Sequence, residues 1–279
     1  MLKIGMSSAG KKINEDLFAD YAKNGIEAVE ISPGWPDYKH LDYKALKQYS
    51  EKYGVDLWSY HLPFQTTDIA SADRAWRLCS MEYSFELIKQ ASNVGIRRLV
   101  AHASVEFNGD AAKRAETLAI AKESLSQLAD FAANYGSIIC VEDLPRGCLG
   151  NCSDELLDII SVNDKLRICF DTNHLLGEDI LSFIQRVGDK IETIHVSDYD
   201  YIDERHWMPG EGEIPWSELY KALLDVGYTG AWMYEISPKC PKTILRDRDL
   251  TCADFARNAK EIFEGKPLTV IGQRIDLNL

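Results

Sequence analysis

Short apolar runs rich in Val, Ile and Leu alternate along the whole chain with longer stretches of helical period. Within each run the apolar character is nearly continuous, which is typical of parallel strands that are covered on both faces. The eight predicted strands are residues 2–6, 26–31, 55–61, 98–102, 138–142, 167–171, 193–196 and 231–236. Between them apolar residues recur every three or four positions, as in Trp76, Cys79, Tyr83 and Leu87, and this spacing predicts amphipathic helices.

Strands that alternate with helices, without a linker or low-complexity segment, predict one α/β domain. Eight such units need about 250 residues, so a single closed (β/α)8 TIM barrel over residues 1–267 accounts for most of the chain. We expect the C-terminal tail, residues 268–279, to pack on the barrel or on a neighbouring subunit. An open doubly wound sheet is the alternative, but Ser7-Ser8-Ala9-Gly10 after the first strand is a poor match to a glycine-rich phosphate loop.

Charge and cysteine content narrow the class of protein. The 279 residues carry a net charge of −13, and such an acidic chain repels phosphate backbones, which argues against nucleic acid as a partner. No apolar run approaches the roughly 20 residues of a membrane span, and the N-terminus lacks the apolar region of a signal peptide. The seven cysteines form no Cys-x-x-Cys pair. These features predict a reduced, cytoplasmic metabolic protein without a membrane partner.

Most predicted strands end in a residue that binds metals or moves protons. These residues are Glu30, His61, His102, Glu142, Asp171, His195 and Glu235. One such residue taken alone is as readily explained by a structural hydrogen bond or ion pair. In a barrel, however, all strand ends face the same rim, where several buried carboxylates repel each other unless a cation lies between them. The pattern therefore predicts a divalent metal: Mn, Mg or Co for carboxylates with one imidazole, and Zn or Fe where imidazoles are added.

Six segments carry a resemblance to a known family. They are Ser59-Tyr60-His61-Leu62-Pro63, Val141-Glu142-Asp143-Leu144-Pro145, Phe170-Asp171-Thr172-Asn173-His174, Ile194-His195-Val196-Ser197-Asp198, residues 209–216 and Tyr234-Glu235-Ile236. In this order and spacing the chain resembles the xylose-isomerase-like TIM barrel superfamily, and within it the sugar phosphate isomerases and epimerases of the D-tagatose 3-epimerase type. Inosose dehydratase and the trinuclear-zinc apurinic endonucleases belong to the same superfamily.

The resemblance implies roles for individual residues. Glu142, Asp171, His195 and Glu235 look like the four metal ligands, and Glu142 and Glu235 also look like the two catalytic acid/base carboxylates. A further set is expected to bind the substrate or an additional metal. It consists of His61, His102, His174, Glu204, Arg205, His206 and Trp35.

Two departures from the sugar-handling pattern concern the substrate. Many of those relatives have Glu-Asn after the fifth strand, where this chain has Glu142-Asp143. In addition, His61, His102 and His206 fall where the endonucleases place zinc ligands, although those enzymes have Asp in place of Glu204.

The expected function is a metal-dependent isomerase or epimerase that acts on a sugar or sugar phosphate. A metal on the carbonyl oxygen stabilises the enediolate that forms when a glutamate removes the neighbouring proton. An inosose-type dehydratase and an apurinic endonuclease-like, multi-zinc phosphodiesterase are the alternatives. Aromatic residues after the strands, Trp35, Phe64, Tyr199 and Trp207, are candidates to cover a sugar ring, and Arg146 and Arg205 to bind an anionic group. Members of the superfamily that this chain resembles are often dimers or tetramers, so we expect a homo-oligomer.

Overall fold

The computed structural model describes residues 1–34, 36–105 and 110–275, and over these residues the chain forms a closed parallel barrel in sequential strand order. The predicted (β/α)8 fold is therefore confirmed, and the open-sheet alternative is wrong. The strands are β1 (Ile4–Ser7), β2 (Ala28–Ile31), β3 (Asp56–His61), β4 (Arg98–Ala101), β5 (Ile138–Glu142), β6 (Arg167–Asp171), β7 (Ile191–Val196) and β8 (Trp232–Tyr234).

A helix follows each strand and packs on the outside of the barrel. The helices are α1 (Glu15–Lys23), α2 (Tyr43–Tyr53), α3 (Arg74–Asn93), α4 (Ala111–Ala133), α5 (Ser153–Ile160), α6 (Ile180–Val187), α7 (Trp216–Asp225) and α8 (Cys252–Phe263). Two short 3₁₀ turns lie at Asp37–His40 and Gly188–Lys190.

Local sequence signals set the ends of several helices. The carboxylate of Asp42 accepts the backbone N–H of Ala45, and Asp179 caps α6 in the same way, so both satisfy N–H groups that lack a partner within the helix. At the other end of α2, Gly54 has a φ of 68°, a left-handed conformation that costs glycine little.

Two apolar layers hold the barrel. The larger layer lies between strands and helices and includes the Phe170–Phe183 ring pair, whose centroids are 5.0 Å apart. The smaller layer fills the interior, where Ala28, Ala231 and Met233 contact Trp58. Met233 packs against the backbone of Gly5, and a Cβ on Gly5 would lie 2.6 Å from the Met233 Cε. Small residues therefore make room for large ones inside the barrel.

The described part of the C-terminal tail, residues 268–275, lies against the loops of its own barrel. Gln273–Arg274 (β10) pairs antiparallel with Ile244–Leu245 (β9), and the Arg274 Nε donates to the backbone oxygen of Glu211 at 2.8 Å. Contact with a neighbouring subunit stays a prediction. Among the described residues no helix is long and apolar enough to cross a membrane.

Candidate metal centre

Four side chains converge where β5, β6, β7 and β8 end. Glu142 is the last residue of β5 and Asp171 the last residue of β6. His195 is the next-to-last residue of β7, and Glu235 directly follows β8. Each offers one ligand atom, and these four atoms lie within 4.8 Å of one another. The His195 Nδ1 is 3.1 Å from the Glu142 Oε1 and 3.2 Å from the Glu235 Oε2. The structure thus brings together the four residues expected to bind metal.

The carboxylate of Asp171 is suited to binding a cation in this group. Its Oδ1 accepts the backbone N–H of Asn173 at 2.7 Å, whereas its Oδ2 is buried without a hydrogen-bond partner in the described part of the chain. Burial raises the pKa of Asp171 to about 6, although the neighbouring His174 opposes this shift. An unpartnered carboxylate oxygen, facing two other carboxylates and an imidazole, is the donor set of a divalent cation.

A second group shares Glu142 with the first. The Glu142 Oε2 lies 3.2 Å from the His61 Nε2 and 2.9 Å from the His102 Nε2. The ring of Phe64 stacks on His102 with centroids 4.2 Å apart and so shields the outer side of this group. His61, His102 and Glu142 together have the geometry of a second candidate cation site.

A third group lies at the mouth of the barrel and consists of His174, Glu204 and His206. The His206 Nε2 is 2.9 Å from the Glu204 Oε1, and the His174 Nε2 is 3.7 Å from the same oxygen. The neighbouring imidazoles of His174 and His206 hold the pKa of Glu204 far below its usual range. His206 adopts a φ of 50°, a left-handed conformation that is uncommon for non-glycine residues and often occurs at functional sites.

Backbone carbonyls orient several of these rings. The His61 Nδ1 lies 2.8 Å from the backbone oxygen of Leu62, and the His174 Nδ1 lies 2.8 Å from that of Asp143. A carbonyl oxygen can only accept a hydrogen bond, so each contact fixes a proton on Nδ1 and leaves Nε2 facing the carboxylates. Both rings are thus prepared to bind a cation.

A cavity of about 420 Å³ opens above the three groups. Phe64, Leu144, Pro145 and Cys148 form an apolar part of its wall, and Glu142 and Glu235 lie at its floor. This volume is within the range of small-molecule sites.

A scan against family models matches residues 18–252 to the xylose isomerase-like TIM barrel family. The chain belongs to this family. It is 25% identical over 256 residues to fructoselysine 3-epimerase of Escherichia coli O157:H7, covering 84% of this chain and 90% of the relative. It is also 25% identical over 247 residues to a probable endonuclease 4 of Bacillus licheniformis, covering 78% and 82%.

Among solved structures, the crystal structure of a D-tagatose 3-epimerase-like protein matches with a TM-score of 0.82. The match has 24% identity and covers 94% of this chain and 97% of that one. At this identity the likeness supports the xylose isomerase-like fold alone.

Three candidate substrate residues of this xylose isomerase-like barrel do not line the cavity. Tyr199 and Trp207 do not line the cavity but are buried, with their polar atoms bonded to Leu175 and Thr243. Arg205 is likewise absent from the cavity wall, because its guanidinium pairs with Asp200 at 2.9 Å. Both results reflect packing within the long loop after β7.

Three further candidate residues for the substrate site are Phe64, Arg146 and Trp35. Phe64 and Arg146 do line the cavity, but Arg146 forms ion pairs with Asp203 and Glu204. Trp35 lies outside the residues that the structure describes.

Two carboxylates near the site were not assigned a role from the sequence. Glu30, a strand-end residue, contacts the far side of His195 with 2.9 Å between its Oε2 and the His195 Nε2. Asp198 organises the loop after β7, since its carboxylate accepts the backbone N–H groups of Gly210, Gly212 and Ile214. The strand-end pattern pointed to Glu30, whereas only the folded loop reveals the contacts of Asp198.

Proposed function

We propose that this protein is a divalent-metal-dependent epimerase or isomerase that moves a proton next to the carbonyl group of a sugar or sugar phosphate. The observation that carries the proposal is the convergence of Glu142, Asp171, His195 and Glu235, two of which, Glu142 and Glu235, line a cavity of sugar size. Similarity to fructoselysine 3-epimerase supports an epimerase rather than another use of the barrel.

In this proposal Glu142 and Glu235 hold and move the proton. Burial favours their neutral forms, but the neighbouring His195 holds the pKa of both carboxyls well below its usual range, so both are ionised bases at neutral pH. Glu235 is 18% exposed and Glu142 only 1%, which places Glu235 nearer to solvent on the cavity floor. A bound metal supplies a Lewis acid for the negative charge that develops on the substrate oxygen.

The remaining residues bind the substrate and exclude water. The apolar wall that includes Phe64 and Leu144 covers carbon-bound hydrogens of a sugar, and His174 and His206 lie where they reach its hydroxyl groups. The same histidines with Glu204 are the expected alternative site for an additional metal. Mn, Zn, Co and Mg all remain compatible with this mixture of oxygen and nitrogen donors.

Deuterium exchange tests the proposal. The metal-loaded protein is incubated in D₂O with a panel of ketoses, aldoses and their phosphates, and we expect deuterium at the carbon next to the carbonyl together with formation of the epimer or isomer. Glu235→Gln should abolish exchange, whereas Glu213→Gln in an exposed part of the loop after β7 should exchange like the wild type. Cleavage of abasic DNA without exchange on any sugar would overturn the proposal.

The endonuclease-like phosphodiesterase is the second candidate. The three adjoining donor groups favour it, because they offer sites for several cations around one cavity, and the similarity to a probable endonuclease 4 points the same way. The net charge of −13 opposes binding to a phosphate backbone, so we rank it below the sugar enzyme.

We further propose a cytoplasmic location and a homo-oligomer. All seven cysteines are free thiols, which supports a reducing compartment. Size-exclusion chromatography with light scattering measures the oligomeric state.

A further inference from the structure

One buried carboxylate in the barrel has no part in the proposed proton transfer. Glu30 is 0% exposed, and its Oε2 accepts two hydrogen bonds, from the His195 Nε2 at 2.9 Å and from the Ser59 Oγ at 2.8 Å. An ionised carboxylate removed from water costs several kcal/mol unless it is paired and hydrogen-bonded. Its two contacts therefore indicate what Glu30 does in the folded protein.

Irregularities in two strand pairs bring Glu30 and His195 together. In the β2–β3 pair, Val29 is opposite Leu57 and Glu30 is opposite Ser59, so Trp58 has no counterpart. In the β6–β7 pair, Glu192 is skipped in the same way, three residues before His195. Extra residues of this kind turn the side chains that follow them and are frequent beside active sites.

The group that orients the His195 ring differs chemically from the groups that orient His61 and His174. His61 and His174 are oriented by backbone carbonyls, which are neutral acceptors. His195 is oriented by a carboxylate, and it turns Nδ1 rather than Nε2 toward the cation group. A carboxylate behind an imidazole fixes which nitrogen carries the proton and makes the other a stronger donor to a metal.

We propose that Glu30 is a positioning residue for His195 and that Ser59 holds Glu30 in place. The Glu30 carboxylate keeps a proton on the His195 Nε2, so Nδ1 is the nitrogen that faces a cation held by Glu142, Asp171 and Glu235. This inference rests on the proposed metal site. A purely structural role would stabilise the barrel without changing its affinity for metal.

Metal affinity is the first test. Mn²⁺ is titrated by calorimetry into metal-stripped wild-type protein and into Glu30→Gln, which keeps the shape of the side chain and removes its charge. We expect the Kd to rise by about 10–100-fold, the usual effect of losing such a partner. Ser59→Ala should give a smaller rise. Glu27→Gln is the matched control, because Glu27 lies just before the opposite end of the same strand, where its carboxylate accepts the backbone N–H of Ile4.

The protonation state of the ring is the second test. In ¹⁵N-histidine-labelled protein loaded with Zn²⁺, nuclear magnetic resonance should find the His195 proton on Nε2, with a strongly deshielded resonance. Glu30→Gln should move that resonance upfield, and Glu27→Gln should leave it in place.

The possible outcomes separate this inference from the proposed function. If wild type binds Mn²⁺ and Glu30→Gln binds it equally well with an unchanged His195 resonance, the positioning role is wrong while the metal site stands. If wild type binds neither Mn²⁺ nor Zn²⁺, the metal site itself fails and the inference fails with it. If Glu30→Gln does not fold, Ser59→Ala decides, and wild-type affinity with a wild-type resonance overturns the role.

Discussion

The carboxylate of Asp143 accepts the backbone N–H of Asp171 with 2.7 Å between the Asp143 Oδ1 and the amide nitrogen. This bond joins the residue after β5 to the last residue of β6, so it fixes the main chain of an expected metal ligand. The other oxygen, Oδ2, is buried without a hydrogen-bond partner among the described residues. Burial raises the pKa of Asp143 well above its usual value, which favours the neutral acid.

We predict that Asp143→Asn keeps the fold and the metal affinity of the wild type. An amide oxygen accepts the Asp171 N–H as well as a neutral carboxyl does, and the volume is unchanged. Asp143→Ala leaves that N–H buried without an acceptor, which should lower the free energy of unfolding by about 1–3 kcal/mol. Urea denaturation and Mn²⁺ titration measure both effects. Equal losses in Asn and Ala would mean that the charge of Asp143, rather than its hydrogen bond, matters.

Glu142 belongs both to the His195 group and to the His61–His102 group, and we predict that its loss removes more metal than the loss of Glu204. Glu142→Gln deprives both the His195 group and the His61–His102 group of a carboxylate, whereas Glu204→Gln changes only the group at the mouth. Elemental analysis after saturation with Zn²⁺ and desalting gives the metal content per chain. Exposed Glu123 on α4 provides a control, Glu123→Gln, that should keep the wild-type content. An equal loss in Glu142→Gln and Glu204→Gln would contradict the shared role of Glu142.

Strand positions and strand-end residues could be predicted from the sequence. A buried parallel strand needs a continuous apolar run, and the first polar residue after that run marks the end of the strand. Glu142, Asp171 and His195 were located in this way. The pattern gives no information about which side chain faces which. The contact between Glu30 and His195 depends on residues skipped at Trp58 and Glu192, and such irregularities leave no periodic trace in the sequence.

In the loop after β7, too, the sequence does not show which side chains reach the cavity. Its aromatic and basic residues were expected to contact the substrate because loops at this rim carry function. Tyr199 and Trp207 instead form the packed interior of the loop, since Asp198 gathers several loop N–H groups around one carboxylate. Composition identifies candidate contact residues in a loop, but only the folded backbone decides which of them reach the cavity.

The burial of Lys11 predicts how the stability of the protein changes with pH. It is half-buried after β1, where its Nζ donates to the backbone oxygen of Ser7 at 2.7 Å, and burial lowers its pKa from 10.5 to about 8. Between these values the unfolded chain binds more protons than the folded one, so this group makes the protein more stable as pH rises from 8 to 10.5. We expect the thermal midpoint of wild type to rise relative to Lys11→Met across this window.

The matched control for this prediction is the exposed neighbour Lys12. Differential scanning calorimetry of wild type, Lys11→Met and Lys12→Met at several pH values gives the comparison. The difference between wild type and Lys12→Met should stay nearly constant with pH. A constant difference for Lys11→Met as well would show that Lys11 is solvated in the folded protein.

Glu211 and Arg246 form an ion pair whose side chains are both 0% exposed, and we predict that breaking it destabilises the barrel. The Arg246 Nε donates to the Glu211 Oε1 at 2.8 Å, and the Glu211 Oε2 also accepts the backbone N–H of Met208. Arg246→Met leaves a buried carboxylate without its counter-charge, which should lower the free energy of unfolding by about 3–5 kcal/mol. The double variant Glu211→Gln/Arg246→Met removes both charges and should recover part of this loss. Guanidinium denaturation measures all three proteins, and a double variant that is less stable than Arg246→Met would mean that the Glu211 carboxylate stabilises the loop without help from Arg246.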